Sequence, residues 1–302
     1  MSNKRAYLYM HLAILLWGFT GIFGKLINLG PEHIVWYRML LSAASLWLIL
    51  YFSGKFRVLR VRQLWPFILI GGIVMIHWIL FYAAIKVSNV SITLSCFSLI
   101  TLFTALIEPL VYKRKVDRFE LLFALMVMAG IYTIFAFQKI YIAGIILSLL
   151  SAVLGAVFTI LNKRMLRDHE PALITFYELL AGFVLLTVLM PVYLSITKQP
   201  LQVPGGYDLI NLLLLSVFCT TVAFTISLIA LKELNPFVLN LSINLEPVYS
   251  IILAIIIFNE GKFLNAGFFA GTAILLSAVI LHSVHQWYRY RKSVKVFSEK
   301  KN

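Results

Sequence analysis

Ten apolar stretches, each long enough to cross a lipid bilayer, constrain this chain more than any other feature. They begin near Tyr7, Ile34, Leu64, Val90, Phe119, Ile140, Ala172, Leu209, Phe237 and Phe263. Each is about 20 residues long, which is what an α-helix needs to cross about 30 Å of hydrocarbon. No water is available there, so every backbone N–H and C=O must be paired within the segment, and helices satisfy that need. The loops between them alternate in charge. Lys4 and Arg5, the patches at 55–62, 113–118 and 163–167, Lys232 and the tail from Arg289 hold twenty of the 26 Lys and Arg residues. The intervening loops hold five: Lys25, Lys86, Lys139, Lys198 and Lys262. Arg38 alone is left inside a span. The positive-inside rule then puts both termini in the cytoplasm. A miscount of one span would scramble the alternation, so the charges check the number ten independently.

This pattern predicts an all-α integral membrane protein in a bacterial cytoplasmic membrane. Hydrophobic residues are 61% of the chain and charged residues 13%, against about 25% charged in soluble domains. A net charge of +14 would suggest nucleic acid in a soluble protein. Concentrated on one membrane face, it is explained by topology and anionic lipid, and no nucleic-acid partner is expected. Cys96 and Cys219 lie inside spans, and there is no CxxC or Cys/His cluster, so neither a disulfide framework, a metal nor another cofactor is expected. The basic N-terminus lacks a small-residue cleavage site and reads as the start of the first helix. No phosphate-binding GxxxxGK[ST] loop is present. His169–Glu170 lacks the second His of a metalloprotease motif, and the three aspartates, Asp117, Asp168 and Asp208, lie in loops or at span ends. An enzyme is not expected.

Five spans precede residue 138 and five follow it. An odd number per half gives the halves opposite orientations, the inverted-repeat plan of many secondary transporters. Weak internal similarity runs in order along both halves. Residues 18–25 resemble 156–163, Tyr37–Arg38 falls opposite Tyr177–Glu178, and 84–86 resemble 230–232, at offsets of 138, 140 and 146 residues.

Charged groups at mid-membrane cost about 2.5–3.5 kcal/mol on insertion scales, so those present face a cavity or a partner. Arg38 and Glu178 occupy equivalent places in the two halves. They are candidates for a gate or substrate contact, or for a structural ion pair. Glu246 precedes Pro247 in span 9, where a proline frees a carbonyl and tends to kink the helix. Asn240 and Asn244 lie near one face of the same helix, so this span reads as the wall of a wet cavity, or as helix–helix glue. Glu108 before Pro109 and the mid-span His77 are candidates for a coupling proton. Trp17, followed by Gly18, Gly21 and Gly24, and Trp78 with Tyr82 are candidate aromatic contacts. With Asn240, Asn244 and Glu246 they make the expected substrate-binding set. Lys25, Lys86, Glu260 and Lys262 serve as interfacial anchors or gating contacts.

Taken together, these residues resemble the drug/metabolite transporter superfamily, and within it the EamA-type transporters. The resemblance is carried by Leu16, Trp17, Gly18 and Lys25 in span 1, Arg38 in span 2, and the ends of spans 3 and 8 at 82–86 and 229–232. It is also carried by Leu245, Glu246, Pro247 and Val248, by Glu260, and by Gly267 and Gly271. It implies two inverted five-helix EamA repeats, at 6–137 and 140–287, followed by a basic cytoplasmic tail at 288–302. It also implies a central cavity lined mainly by spans 1, 3, 4, 6, 8 and 9. The chain departs from the pattern in its first half, where Thr101 and Arg114 stand in place of the usual proline and distal glutamate. The expected function is secondary active export of a small polar metabolite such as an amino acid, with possible proton coupling. An importer or exchanger of a nucleoside or phosphorylated metabolite is the alternative, and a channel or sensory protein is the alternative of another class. The expected partners are a small-molecule substrate and the bilayer; nothing in the sequence selects an oligomeric state.

Overall fold

The structure is a computed structural model and describes residues 3–113, 115–135, 141–246, 248–250, 252–253 and 266–299. Pro247, Glu260, Lys262, Arg114, Lys139 and the junction at 138–139 lie outside the described residues.

The described residues form helices that trace ten spans. Span 1 is α1 (Asn3–Gly18) followed by α2 (Thr20–Leu26), span 2 is α3 (Pro31–Phe52), and span 3 is α4 (Val61–Val87). Span 4 is α5 (Val90–Phe97) with α6 (Ile100–Val111), and span 5 is α7 (Arg118–Phe135). In the second half, α8 (Ile142–Met165) and α9 (Pro171–Thr197) are spans 6 and 7. Span 8 joins α10 (Gly206–Ser216), a π-helical segment (Val217–Val222) and α11 (Ala223–Glu233). Span 9 begins with α12 (Pro236–Ile243), and span 10 is α13 (Ala266–Glu299), which carries the basic tail on as helix. Seven of the described segments are long and apolar enough to cross a membrane by themselves. Large apolar side chains such as Phe52, Val188, Ile196 and Phe269 point outward. On a soluble protein such a surface would be an aggregation hazard; here it is the lipid-facing belt.

The packing is that of two interchangeable halves. Span 3 packs on span 6, and its mate span 8 packs on span 1. Span 3 also packs on span 7 as span 8 packs on span 2, and span 4 meets span 6 as span 9 meets span 1. Spans 2 and 7, 4 and 9, and 5 and 10 pack on one another across the axis. Exchange of the halves thus preserves the contacts, and five spans per half make the relation an inverted one. The face that carries the start of span 1 at Asn3 is called the terminal face below; the opposite face is the far face.

Span 9, where the sequence predicts a kink, and its mate span 4 break at equivalent places. Span 9 leaves its first helix at Asn244–Leu245, and span 4 does so at Ser98–Leu99, 146 residues earlier. The first half therefore kinks without the proline its second half carries. There the Ser98 hydroxyl donates back to the Leu94 carbonyl at 3.0 Å, a bond that competes with the helix ladder and bends it. Thr101, the residue in the proline's place, donates to the Asn240 carbonyl (3.2 Å) and accepts from Asn244 Nδ2 (2.9 Å).

Candidate functional site

Spans 1, 2, 3, 4, 6, 8 and 9 surround a cavity between the halves. Span 2 enters through Arg38, an addition to the six expected spans. The other lining residues are Trp17, Thr20, His77, Trp78, Phe81, Phe97, Ile100, Phe158, Phe224, Ile243 and Glu246. Most of them are symmetry mates. Trp78 pairs with Phe224, Phe97 with Ile243 and Ile100 with Glu246, all 146 residues apart, and Thr20 pairs with Phe158 at 138. Where one mate is polar the other is apolar, so a symmetric frame encloses a polarised chamber.

Arg38 is the best-held group in it. The side chain is 2% exposed. Its Nε–H donates to Thr220 Oγ1 (2.7 Å), Nη1 to the Tyr82 hydroxyl (2.8 Å) and Nη2 to the Cys219 carbonyl (3.4 Å). The guanidinium carbon lies 3.7 Å from the Trp78 ring centroid, a cation–π contact. A guanidinium has five N–H donors, so two remain on a group that borders the cavity. The π-helical segment makes this possible. Its wider turn presents the Cys219 carbonyl and Thr220 to Arg38, and the Ser216 carbonyl to the Ser42 hydroxyl (3.0 Å). Arg38, Ser42 and Ser45 follow one face of span 2, and Ser45 completes the seam at Thr221 (2.7 Å between hydroxyls). Interruptions of this kind are frequent at functional sites.

The expected pairing of Arg38 with Glu178 does not occur. Glu178 is fully buried on span 7, and its Oε2 accepts from Asn162 Nδ2 at 3.2 Å. Symmetry puts the two residues toward opposite faces, which is why equivalent positions do not meet. Arg38 does not snorkel either, because its hydrogen-bond partners lie in the protein. Its acidic companion is Glu246, 5% exposed and on the wall of the same cavity.

Trp17, Trp78 and Glu246 of the expected substrate-binding set therefore line the cavity, and Tyr82, Asn240 and Asn244 do not. Tyr82 is fully buried behind Arg38 and holds it in place. Gly24 makes room for that ring, since a Cβ there would lie 2.7 Å from Tyr82 Cε1. Asn240 Nδ2 donates to Thr104 Oγ1 (2.7 Å) and Asn244 to Thr101, so the two amides stitch span 9 to span 4, the helix-glue alternative. His77 borders the cavity but is engaged behind it. Its Nδ1 lies 2.9 Å from the Ser151 carbonyl and 2.8 Å from the Ser151 hydroxyl. The Ser151 hydroxyl donates back to the His77 carbonyl at 3.0 Å.

Glu108 is elsewhere. It borders a second cavity of about 590 Å³ at the terminal face, with Tyr112, Lys163, Leu166, Arg167, Lys232, Asn235 and Pro236. Lys163 Nζ donates there to the carbonyls of Leu231, Lys232 and Leu234, the unpaired end of span 8, where a cation also meets the negative pole of the helix. Burial first, then the nearby Glu108, push the Tyr112 hydroxyl pKa above its usual value.

Sequence reasoning missed Thr20, Phe81, Phe97, Ile100, Phe158, Phe224 and Ile243. The repeat was the available signal: carrying Trp78 and Glu246 across the offset of 146 reaches Phe224 and Ile100.

Two inverted halves around a chamber bordered by a fixed guanidinium and a carboxyl group define the class as a membrane transporter of the inverted-repeat type. A family model described as the EamA-like transporter family matches twice, over residues 4–136 and 142–284, and the chain belongs to that family. It is 25% identical over 270 residues to an uncharacterized transporter of Archaeoglobus fulgidus, covering 85% of this chain and 91% of that one. A solved crystal structure, 20% identical, matches it with a TM-score of 0.71 over 94% of this chain and 98% of the other. That likeness concerns the fold alone.

Proposed function

We propose that this transporter is secondary active and exports a small zwitterionic metabolite, such as an amino acid, by alternating access. The observation that carries the reading is the pair Arg38 and Glu246 on one aromatic chamber between the halves. A substrate carboxylate takes the two remaining N–H donors of Arg38, with the bidentate geometry that guanidinium favours. A substrate ammonium group goes to Glu246. The apolar body lies among Phe81, Phe97, Phe158 and Phe224, as in ligand sites that are mostly apolar with a few convergent polar groups. One fixed cation suits a single carboxylate better than a multiply charged phosphate, which argues against the phosphorylated-metabolite alternative. Glu246 is also the acid best suited to a coupling proton, because binding of an ammonium group and of a proton there would compete. The charge asymmetry of the loops supports a bacterial cytoplasmic membrane with both termini inside.

Counterflow in proteoliposomes tests this. Vesicles preloaded with an unlabelled neutral amino acid are expected to accumulate the labelled compound transiently, and Glu246→Gln is expected to remove the pH dependence of net export. Absence of counterflow across a panel of neutral, acidic and basic amino acids would contradict the proposal.

A further inference from the structure

The halves also grip each other at both membrane faces, through equivalent tyrosines. Tyr37 lies at the far-face end of span 2 in the first half, and its hydroxyl donates to the Gln202 carbonyl at 3.1 Å. Gln202 belongs to the loop joining spans 7 and 8 of the second half. Tyr177 lies 140 residues on, at the terminal-face end of span 7. Its hydroxyl donates to the Arg57 carbonyl at 2.8 Å and accepts from the Leu59 N–H at 3.1 Å. Arg57 and Leu59 belong to the loop joining spans 2 and 3, the mate of the loop that holds Gln202. The rings are seated alike: Trp36 stands edge-on to Tyr37 at 4.8 Å and 78°, and Phe176 to Tyr177 at 5.0 Å and 72°.

Each loop has supporting contacts across the same divide. At the far face the Gly30 N–H donates to Gln202 Oε1 (2.7 Å), and the Asn28 N–H to Asp208 Oδ1 (3.0 Å). At the terminal face Phe56 packs edge-on against Phe176 at 5.7 Å.

We propose that Tyr37 and Tyr177 are paired latches: Tyr37 must release the 7–8 loop for the far face to open, and Tyr177 must release the 2–3 loop for the terminal face to open. This rests on the alternating-access reading. Both latches are closed in this structure. Each tyrosine reaches across from one half to a loop of the other, so rocking that parts the halves at one face breaks that face's bonds and spares the opposite pair. Loss of the one bond at Tyr37 shifts an equilibrium by a factor of roughly 2 to 10, enough to bias a state without locking it, and loss of the two at Tyr177 shifts it by at least as much.

The test uses Tyr37→Phe and Tyr177→Phe in the full chain, with Cys96 and Cys219 replaced by alanine. Spin labels go on exposed positions of opposite halves: Leu26 and Gln199 at the far face, Lys55 and Asp168 at the terminal face. Pulsed electron resonance then reads the two distances. Tyr37→Phe is expected to raise the long-distance population of the far-face pair by roughly 2- to 10-fold and not that of the terminal pair. Tyr177→Phe is expected to do the reverse. Unchanged populations, or equal lengthening at both faces by both variants, would overturn the latches. Counterflow measured alongside separates the two readings. Transport by the parent without any shift sinks the latches alone, whereas a face-specific shift without transport of any amino acid sinks the export reading alone.

Discussion

Spans 2 and 7 are the same element twice, and the structure uses them for opposite purposes. Span 2 meets span 8 along a polar seam: Arg38 and Ser45 bond to a π-helical segment that no symmetry mate reproduces among the described residues, and Ser42 accepts from Thr221 of the same segment. Span 7 meets span 3 through glycines. A Cβ on Gly71 would run into the Glu178 carbonyl, and one on Gly182 would meet the Gly71 carbonyl at 2.9 Å. The first seam opens a charged group onto the chamber; the second closes so tightly that its charged group is sealed away with Asn162. The repeat keeps the packing of the spans and the kinks of spans 4 and 9, while the side chains at equivalent positions divide the labour. The proposed zwitterion site needs that division, because two identical charges facing one small cavity would repel each other.

The comparison is broken or sharpened first at Arg38. On the proposed reading Arg38→Met removes a charge-assisted contact to substrate, worth about 1.5–3 kcal/mol, so ligand affinity is expected to fall roughly 10- to 150-fold by titration. Folding is expected to persist, with monodisperse elution as the check. Second, Gly71→Val overpacks the glycine seam and is expected to cost about 1–3 kcal/mol of stability. The same change at Gly72, which has only Leu185 Cδ1 nearby at 3.3 Å, is expected to cost less; equal melting temperatures would deny that the seam is tight. Third, Thr101→Val and Asn244→Leu combined in a double-mutant cycle are expected to show a coupling of about 1 kcal/mol. Zero coupling would mean that Thr101 is not the partner that replaces the first half's proline. The smallest effect is expected from Glu178→Gln. The amide keeps the contact with Asn162, so counterflow is predicted to change by less than about 2-fold, within what a neutral hydrogen bond contributes. A large loss would make Glu178 functional and erase the distinction between the seams.

Much of the frame was legible in the sequence because hydrocarbon imposes it. Span length, the Lys/Arg alternation and the odd number of spans per half follow from the bilayer. The site was legible where a residue was out of place for a membrane, as with Trp17, Arg38, Trp78 and Glu246. It was illegible where rotation about a helix axis decides the outcome. Asn240 and Asn244 share a face, but spacing does not say whether that face meets a cavity or span 4. Phe81, Phe97, Phe158 and Phe224 were hidden among 23 phenylalanines, since lipid, core and cavity accept the same ring. Span 8's π-helical segment has no sequence signature at all. Without it the reach of Arg38 to Thr220 could not be foreseen, and pairing with Glu178 was the simpler expectation.

The most direct test of the central claim, that Arg38 receives the carboxylate of a zwitterion, is a thermal-shift titration of the purified protein and of Arg38→Met. Each is titrated with an amino acid that supports counterflow and with its methyl ester. The account predicts that the parent is stabilised by the free acid, by about 2.7 kcal/mol at 100 times its Kd, and much less by the ester, while Arg38→Met no longer distinguishes the two. Equal stabilisation of the parent by acid and ester, or full discrimination retained by Arg38→Met, would contradict it.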